Sequence, residues 1–174
     1  DDLNIVYQEM AKNKNTENLA FRGIMEQYLR SEDYHHAFIY GEKLFNNNPY
    51  IEKIYDTLIN IISKTNNWQQ LLFITDKAYS KKIIDKKIFQ ENKSIAFFEI
   101  AKVKQYHDVD ESIDHMQQAL KFRKNFPPYI KFYVELLIQN KNYNLAKKFL
   151  KKSWNENPHS EYRSVIINLA FYLK

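Results

Sequence analysis

The sequence contains no cysteine, which excludes disulfides, thiolate metal sites and a cysteine nucleophile while leaving the compartment open. Glycine occurs twice and proline four times in 174 residues. That is too few for the turns of β-hairpins and sandwiches, and too few for the glycine-rich loops that cradle phosphate in Rossmann and P-loop nucleotide sites. No run approaches the ~18 apolar residues of a membrane span. No signal peptide precedes Asp1, and a chain that starts on Asp rather than Met is expected to be an excised piece with any anchor upstream. Charge of one sign is gathered nowhere: 26 basic and 21 acidic residues, spread along the chain, leave a net +5, so nucleic acid is not implied as a partner.

What is present is apolar and aromatic surface, 44% and 16% of residues, enough to offset the entropy of ordering a chain of this length. It recurs. Asp33-Tyr34-His35-His36-Ala37 is echoed by Asn67-Trp68-Gln69-Gln70-Leu71 and by Asn142-Tyr143-Asn144-Leu145-Ala146. Tyr34 and Trp68 stand 34 residues apart, as do Ala37 and Leu71, and Ser112 and Ala146. An interval of 34 belongs to tetratricopeptide helix hairpins, whereas an RNA-reading pentatricopeptide array favours about 35. Leu71 and Ser112 are 41 apart, which predicts seven extra residues near 84–92, most simply as a longer helix, because 85–105 holds no helix breaker.

The predicted fold is all-α, a right-handed superhelical stack of antiparallel helix hairpins. First helices are expected near 18–31, 52–65, 85–105 and 127–140, and second helices near 34–47, 68–81, 109–123 and 143–156. Residues 1–17 then form the end of a preceding helix, 18–158 four repeats, and 159–174 a capping helix. Pro49 and Pro158 close the first and fourth units. Ala37, Ser112 and Ala146 supply the small side chain that a helix crossing at ~8–10 Å requires; seven residues beyond the crossing position Ala78, Ala119 and Ser153 supply a second in units two to four, and Leu44 occupies that place in unit one. Tyr34, Trp68 and Tyr143 open their helices as packing rings. On the first helices Met25, Ile59, Ile100 and Val134 stand where a small residue is usual, so the repeat is divergent.

Some runs are narrower than a generic repeat. Leu19-Ala20-Phe21-Arg22-Gly23-Ile24, then Asp33-Tyr34, Ala37, Tyr40-Gly41-Glu42-Lys43-Leu44 and Asn48-Pro49, together with Phe126-Pro127-Pro128, Leu136-Leu137, Ala146 and Ser153-Trp154-Asn155-Glu156-Asn157-Pro158-His159-Ser160, resemble the C-terminal repeat region of HemY-type proteins. The likeness spans about residues 18–160. It implies a protein held in the inner membrane by N-terminal anchors absent here, with a cytoplasmic repeat region associated with the late steps of haem biosynthesis. No catalytic residue comes with it, and porphyrin-pathway enzymes become candidate partners. The residues themselves leave open another tetratricopeptide adaptor, for envelope-protein assembly or secretion.

The chemistry looked for gives neither cofactor nor metal. His35 and His36 lie ~100° apart on a helix and do not converge as an i, i+4 pair would. His107, His115 and His159 show no metal-ligand spacing, and Asp108 and Asp110 read as a helix N-terminus. No glycine-flanked nucleophile turn is present, so no enzyme is expected. The expected functional surface is the concave face, built from Arg22, Glu26, Arg30, Asp56, Asn60, Lys64, Phe97, Ala101, Phe132 and Glu135: charged in its first half, more apolar in its second, and suited to a protein or peptide in the groove. The Lys and Asn clamp that grips chaperone C-termini is not reproduced, because Glu26 follows Arg22 where Asn is wanted.

Overall fold

The short turns predict helices that reverse on themselves, and the computed structural model shows that arrangement. It describes residues 2–172, with side chains from residue 5; Asp1 and the last two residues, which the expected segments 1–17 and 159–174 include, lie outside the described residues. The elements are α1 (Asp2–Met10), α2 (Glu17–Arg30), α3 (Tyr34–Asn47), α4 (Ile54–Thr65), α5 (Trp68–Ser80), α6 (Lys86–Lys104), α7 (Val109–Phe122), α8 (Pro127–Gln139), α9 (Tyr143–Glu156), a 3₁₀ turn (Ser160–Tyr162) and α10 (Arg163–Tyr172). No strand occurs among the described residues. The chain divides into two compact units, Asp1–Asp85 and Lys86–Lys174.

In the first unit α2 pairs with α3 and α4 with α5, and α4 packs on α3. Turns of two or three residues force each pair antiparallel. The α3 N-terminus is capped by Asp33, whose carboxylate accepts from the His36 amide at 3.1 Å and meets His36 Nδ1 at 2.7 Å; these bonds to the charged form hold the Asp33 carboxyl below its ordinary range. Ala37 and Ala78 are fully enclosed, and Leu44 and Leu71 nearly so. Gly41 sits at a close crossing, where a Cβ would stand 3.0 Å from Leu58 Cδ2 and 3.1 Å from Met25 Sδ, so those side chains would have to give way.

The turns use no glycine. Glu32, Asn66, Lys82 and Lys141 adopt left-handed φ of 58°, 53°, 59° and 58°, each just past a helix end. In each the next amide bonds back to the helix: Asp33 to the Tyr28 carbonyl (2.9 Å), Asn67 to Ile62 (3.3 Å), Ile83 to Ala78 (2.9 Å) and Asn142 to Leu137 (2.8 Å). This is the Schellman closure that glycine ordinarily serves.

In the second unit α6 pairs with α7 and α8 with α9, α8 packs on α7, and α10 lies on α8 and α9. At 19 residues α6 is longer than the 12 to 14 of the other hairpin first helices, and the excess lies at its N-terminal end. Asp108 caps α7 by accepting from the Glu111 amide at 2.9 Å. Ser112, Ala119, Ala146 and Ser153 are buried at the crossings, and the Ser112 hydroxyl donates to the Ala101 carbonyl at 2.7 Å, tying α7 to α6. Rings fill the seam between α6 and α8: Phe98 stacks on Tyr129 at 4.5 Å and meets Phe132 edge-on at 5.6 Å.

Candidate functional site

On α2 the residues at 22, 25, 26 and 29 share one face, being spaced three and four apart. With the start of α4 they enclose a pocket of about 320 Å³. Its floor is apolar, from the buried Met25, Leu44 and Ile54. Its rim is charged, from Arg22, Glu26, Glu52 and Lys53. Arg22 Nε and Glu26 Oε1 form an ion pair at 3.0 Å, with both side chains about half exposed. Such a pair stabilises a helix by only ~0.3–0.5 kcal/mol, so an incoming group of either sign can break it at small cost. No histidine lines the pocket.

The ten residues of the expected surface fall in both units. In the first, Arg22 and Glu26 share this pocket, and Arg30 is exposed on the last turn of α2. Asp56, Asn60 and Lys64 form an exposed stripe along α4, with Lys64 Nζ 5.9 Å from the centre of the Tyr34 ring. In the second unit, Phe97 is half-buried, stacked on Phe122 at 6.1 Å and on His115 at 6.0 Å. Phe132 is half-buried against Phe98. Glu135 is half-buried too, and desolvation pushes its carboxyl above the ordinary range, against the opposing pull of Lys131.

Ala101 has to be corrected. It is 0% exposed and presents no surface to a partner: it is the small residue against which α7 crosses, with its carbonyl bound to Ser112. The sequence pattern put the crossing position at Ile100, and a shift of one residue rotates the helix face by ~100°.

Three of the histidines are engaged by neighbours, while His35 and His107 are exposed. His36 is engaged by Asp33, His115 Nε2 lies 3.6 Å from Glu111 Oε1, and His159 Nδ1 accepts from the Glu161 amide at 3.2 Å. Among the described residues no group of three or more His, Asp or Glu is arranged to hold a metal ion, and no helix is long and apolar enough to cross a membrane.

Sequence reasoning missed a second pocket, of about 370 Å³, between α9 and α10. Its signal was present: 162–173 is mostly apolar, and Arg163, Ser164 and Asn168 are too few to cover the rest of a surface helix.

No family model matches the chain, and no curated protein does. Among solved structures it is similar to a MamA fragment (41-end) from Desulfovibrio magneticus RS-1, at 12% identity over 86% of this chain and 80% of that one, with a TM-score of 0.42. It is similar to a further MamA protein at 10% identity, over 90% and 87%, with a TM-score of 0.45. A tetratricopeptide repeat protein from Parabacteroides merdae ATCC 43184 shares 15% identity over 95% of this chain and 59% of that one, with a TM-score of 0.49. Likeness at these values adds nothing to the fold read from the chain's own hairpins.

Proposed function

We propose that this chain is a non-catalytic protein-binding scaffold, and that it is the repeat region of a HemY-type protein anchored in the inner membrane by a segment upstream, grouping enzymes of porphyrin synthesis on the cytoplasmic side. In this reading 18–158 comprises four tetratricopeptide-like repeats, 159–174 caps them, and 1–17 ends a preceding helix. The observation that carries the scaffold reading is the pocket beside α2, whose apolar floor and weakly paired charged rim suit a peptide with an apolar anchor and charged flanks. Support for the HemY-type reading is confined to the residue runs from Leu19 to Pro49 and from Phe126 to Ser160.

Exchanging the two rim charges, Arg22→Glu with Glu26→Arg, preserves an i, i+4 pair and inverts the face a partner meets. Proteins captured by the wild-type chain, porphyrin-pathway enzymes among them, are expected to be lost with the exchanged chain while its helical circular dichroism is unchanged. Equal recovery by both chains refutes the α2 surface. Recovery that depends on Arg22 and Glu26 but excludes porphyrin-pathway enzymes refutes the HemY-type reading and leaves an adaptor for envelope-protein assembly or secretion.

A further inference from the structure

We infer that the cleft between α9 and α10 is a second protein-binding surface, and that it takes an acidic amphipathic helix. The polar side chains of α10 are confined to Arg163, Ser164 and Asn168, and an apolar helix face is ordinarily enclosed, yet α10 is covered on one face only. Val165 and Leu169 are buried, while Ile166 is 40%, Ile167 50% and Phe171 68% exposed. Ile166, Leu169 and Ala170 form one wall of the pocket, and Leu150 and Trp154 of α9 form the other. Trp154 is 44% exposed and touches Tyr162 only at a ring separation of 6.3 Å. A half-exposed tryptophan beside a concave apolar pocket has the composition of an interface hot spot.

Charge decides the occupant. Lys147, Lys151 and Trp154 lie on one face of α9, four and three residues apart, and both lysines border the pocket. Between Tyr143 and Tyr172 five basic residues meet two carboxylates. Those carboxylates are engaged, Glu156 by Lys152 and Glu161 by Lys131, each at 3.8 Å. Among the described residues Lys147 and Lys151 have no ion-pair partner. An apolar trough with two unneutralised ammonium groups on one edge is complementary to a helix that carries apolar side chains at i, i+3, i+4 and i+7 and carboxylates beside them. A second copy of this chain does not meet that description, because an isologous contact would set the same lysines against one another. A membrane surface presents no ridge to enter a concave cleft.

The test titrates the full chain with two synthetic amphipathic peptides, one of Leu and Glu and one of Leu and Lys in the same pattern, each with a terminal fluorophore. The acidic peptide is expected to bind more tightly than the basic one. Lys147→Glu with Lys151→Glu, both outside the core, is expected to weaken the acidic peptide at least about tenfold, strengthen the basic one and leave helical circular dichroism unchanged. Trp154→Ala is expected to weaken both peptides. The Arg22→Glu, Glu26→Arg chain, altered only at the α2 pocket, should bind the acidic peptide as the wild type does. The inference is overturned if neither peptide binds, if both bind alike, if reversing the lysines changes nothing, or if the Arg22 and Glu26 exchange abolishes binding. It is also overturned if lysine-dependent binding is seen to phosphatidylserine vesicles and not to the acidic peptide.

Discussion

Glycine placed at Glu32, Lys82 and Lys141 should stabilise the chain, although glycine inside a helix does the opposite. A residue with a Cβ pays ~1–2 kcal/mol to hold left-handed backbone. Glycine escapes that cost but loses an extra ~0.5–1 kcal/mol of unfolded-state freedom on folding. The difference leaves about 0.5–1 kcal/mol of gain per site. Nothing offsets it in the folded state, because all three side chains are exposed and the closing bonds from Asp33, Ile83 and Asn142 come from the backbone. Asn66, at φ 53°, is the internal comparison: Asn tolerates this region, so Asn66→Gly should gain little. Lys148→Gly, on an exposed face inside α9, should lose about 0.7–1 kcal/mol. Urea unfolding followed by helical circular dichroism reads each change as a shift in midpoint at constant slope. If Glu32→Gly and Lys141→Gly lower the midpoint as Lys148→Gly does, the turns do not hold the conformation described, and the account of how this chain reverses direction without glycine fails.

Two further changes test the packing and the electrostatics. At Ser112, 0% exposed at the α6–α7 crossing, Ala should cost under about 1 kcal/mol, because the Ala101 carbonyl keeps its backbone bond from Gln105 at 3.0 Å. Val and then Leu should cost about 1–3 kcal/mol and more, as added volume forces the helices apart; a Leu variant as stable as the Ala variant would sink the close-crossing argument. At Glu135, burial raises the folded pKa above the unfolded value of ~4.3. The folded state therefore keeps its proton to higher pH, and stability falls as pH climbs from the unfolded toward the folded pKa. Glu135→Gln abolishes that loss, so its stability relative to wild type should rise between pH 4 and pH 7. A difference that does not change with pH would count against it.

The second helices were legible because constraints coincide in a few residues: a short turn, a ring at the first helical position and, in α3 and α9, a small residue three further on. Tyr34, Trp68 and Tyr143 do begin α3, α5 and α9, and the residues at the crossings are buried. The length of α6 was legible because nothing between 85 and 105 could interrupt a helix, and it runs unbroken over Lys86–Lys104. The phase of α6 was not legible. Phe97, Ile100 and Ala101 are all apolar, so hydrophobic pattern alone does not say which faces α7, and the choice was settled by the size of Ala101 where Ser112 approaches. The left-handed turns were hidden for a related reason: glycine is their usual sign, and Glu32, Lys82 and Lys141 carry none of it.

Candidate surfaces are harder to read than cores because what matters is which charges are already matched, and matching depends on contacts between elements. On α2 the i, i+4 spacing makes the Arg22–Glu26 pair visible in sequence, and it also means that a partner must first separate charges that neutralise one another. On α9 the run Lys147-Lys148 and Lys151-Lys152 reads as an ordinary solvated face. The Lys152–Glu156 pair has the same i, i+4 spacing, but only the structure shows that Glu161 is taken by Lys131 from another helix and that, among the described residues, Lys147 and Lys151 have no ion-pair partner beside an apolar trough. Unmatched charge falls off with added salt over a Debye length of ~10 Å at 0.1 M, whereas a surface that exchanges one ion pair for another changes little in net charge. Affinity at the α9–α10 cleft should therefore weaken steeply with ionic strength and that at the α2 pocket shallowly, so a salt titration separates the two surfaces even before either partner is known.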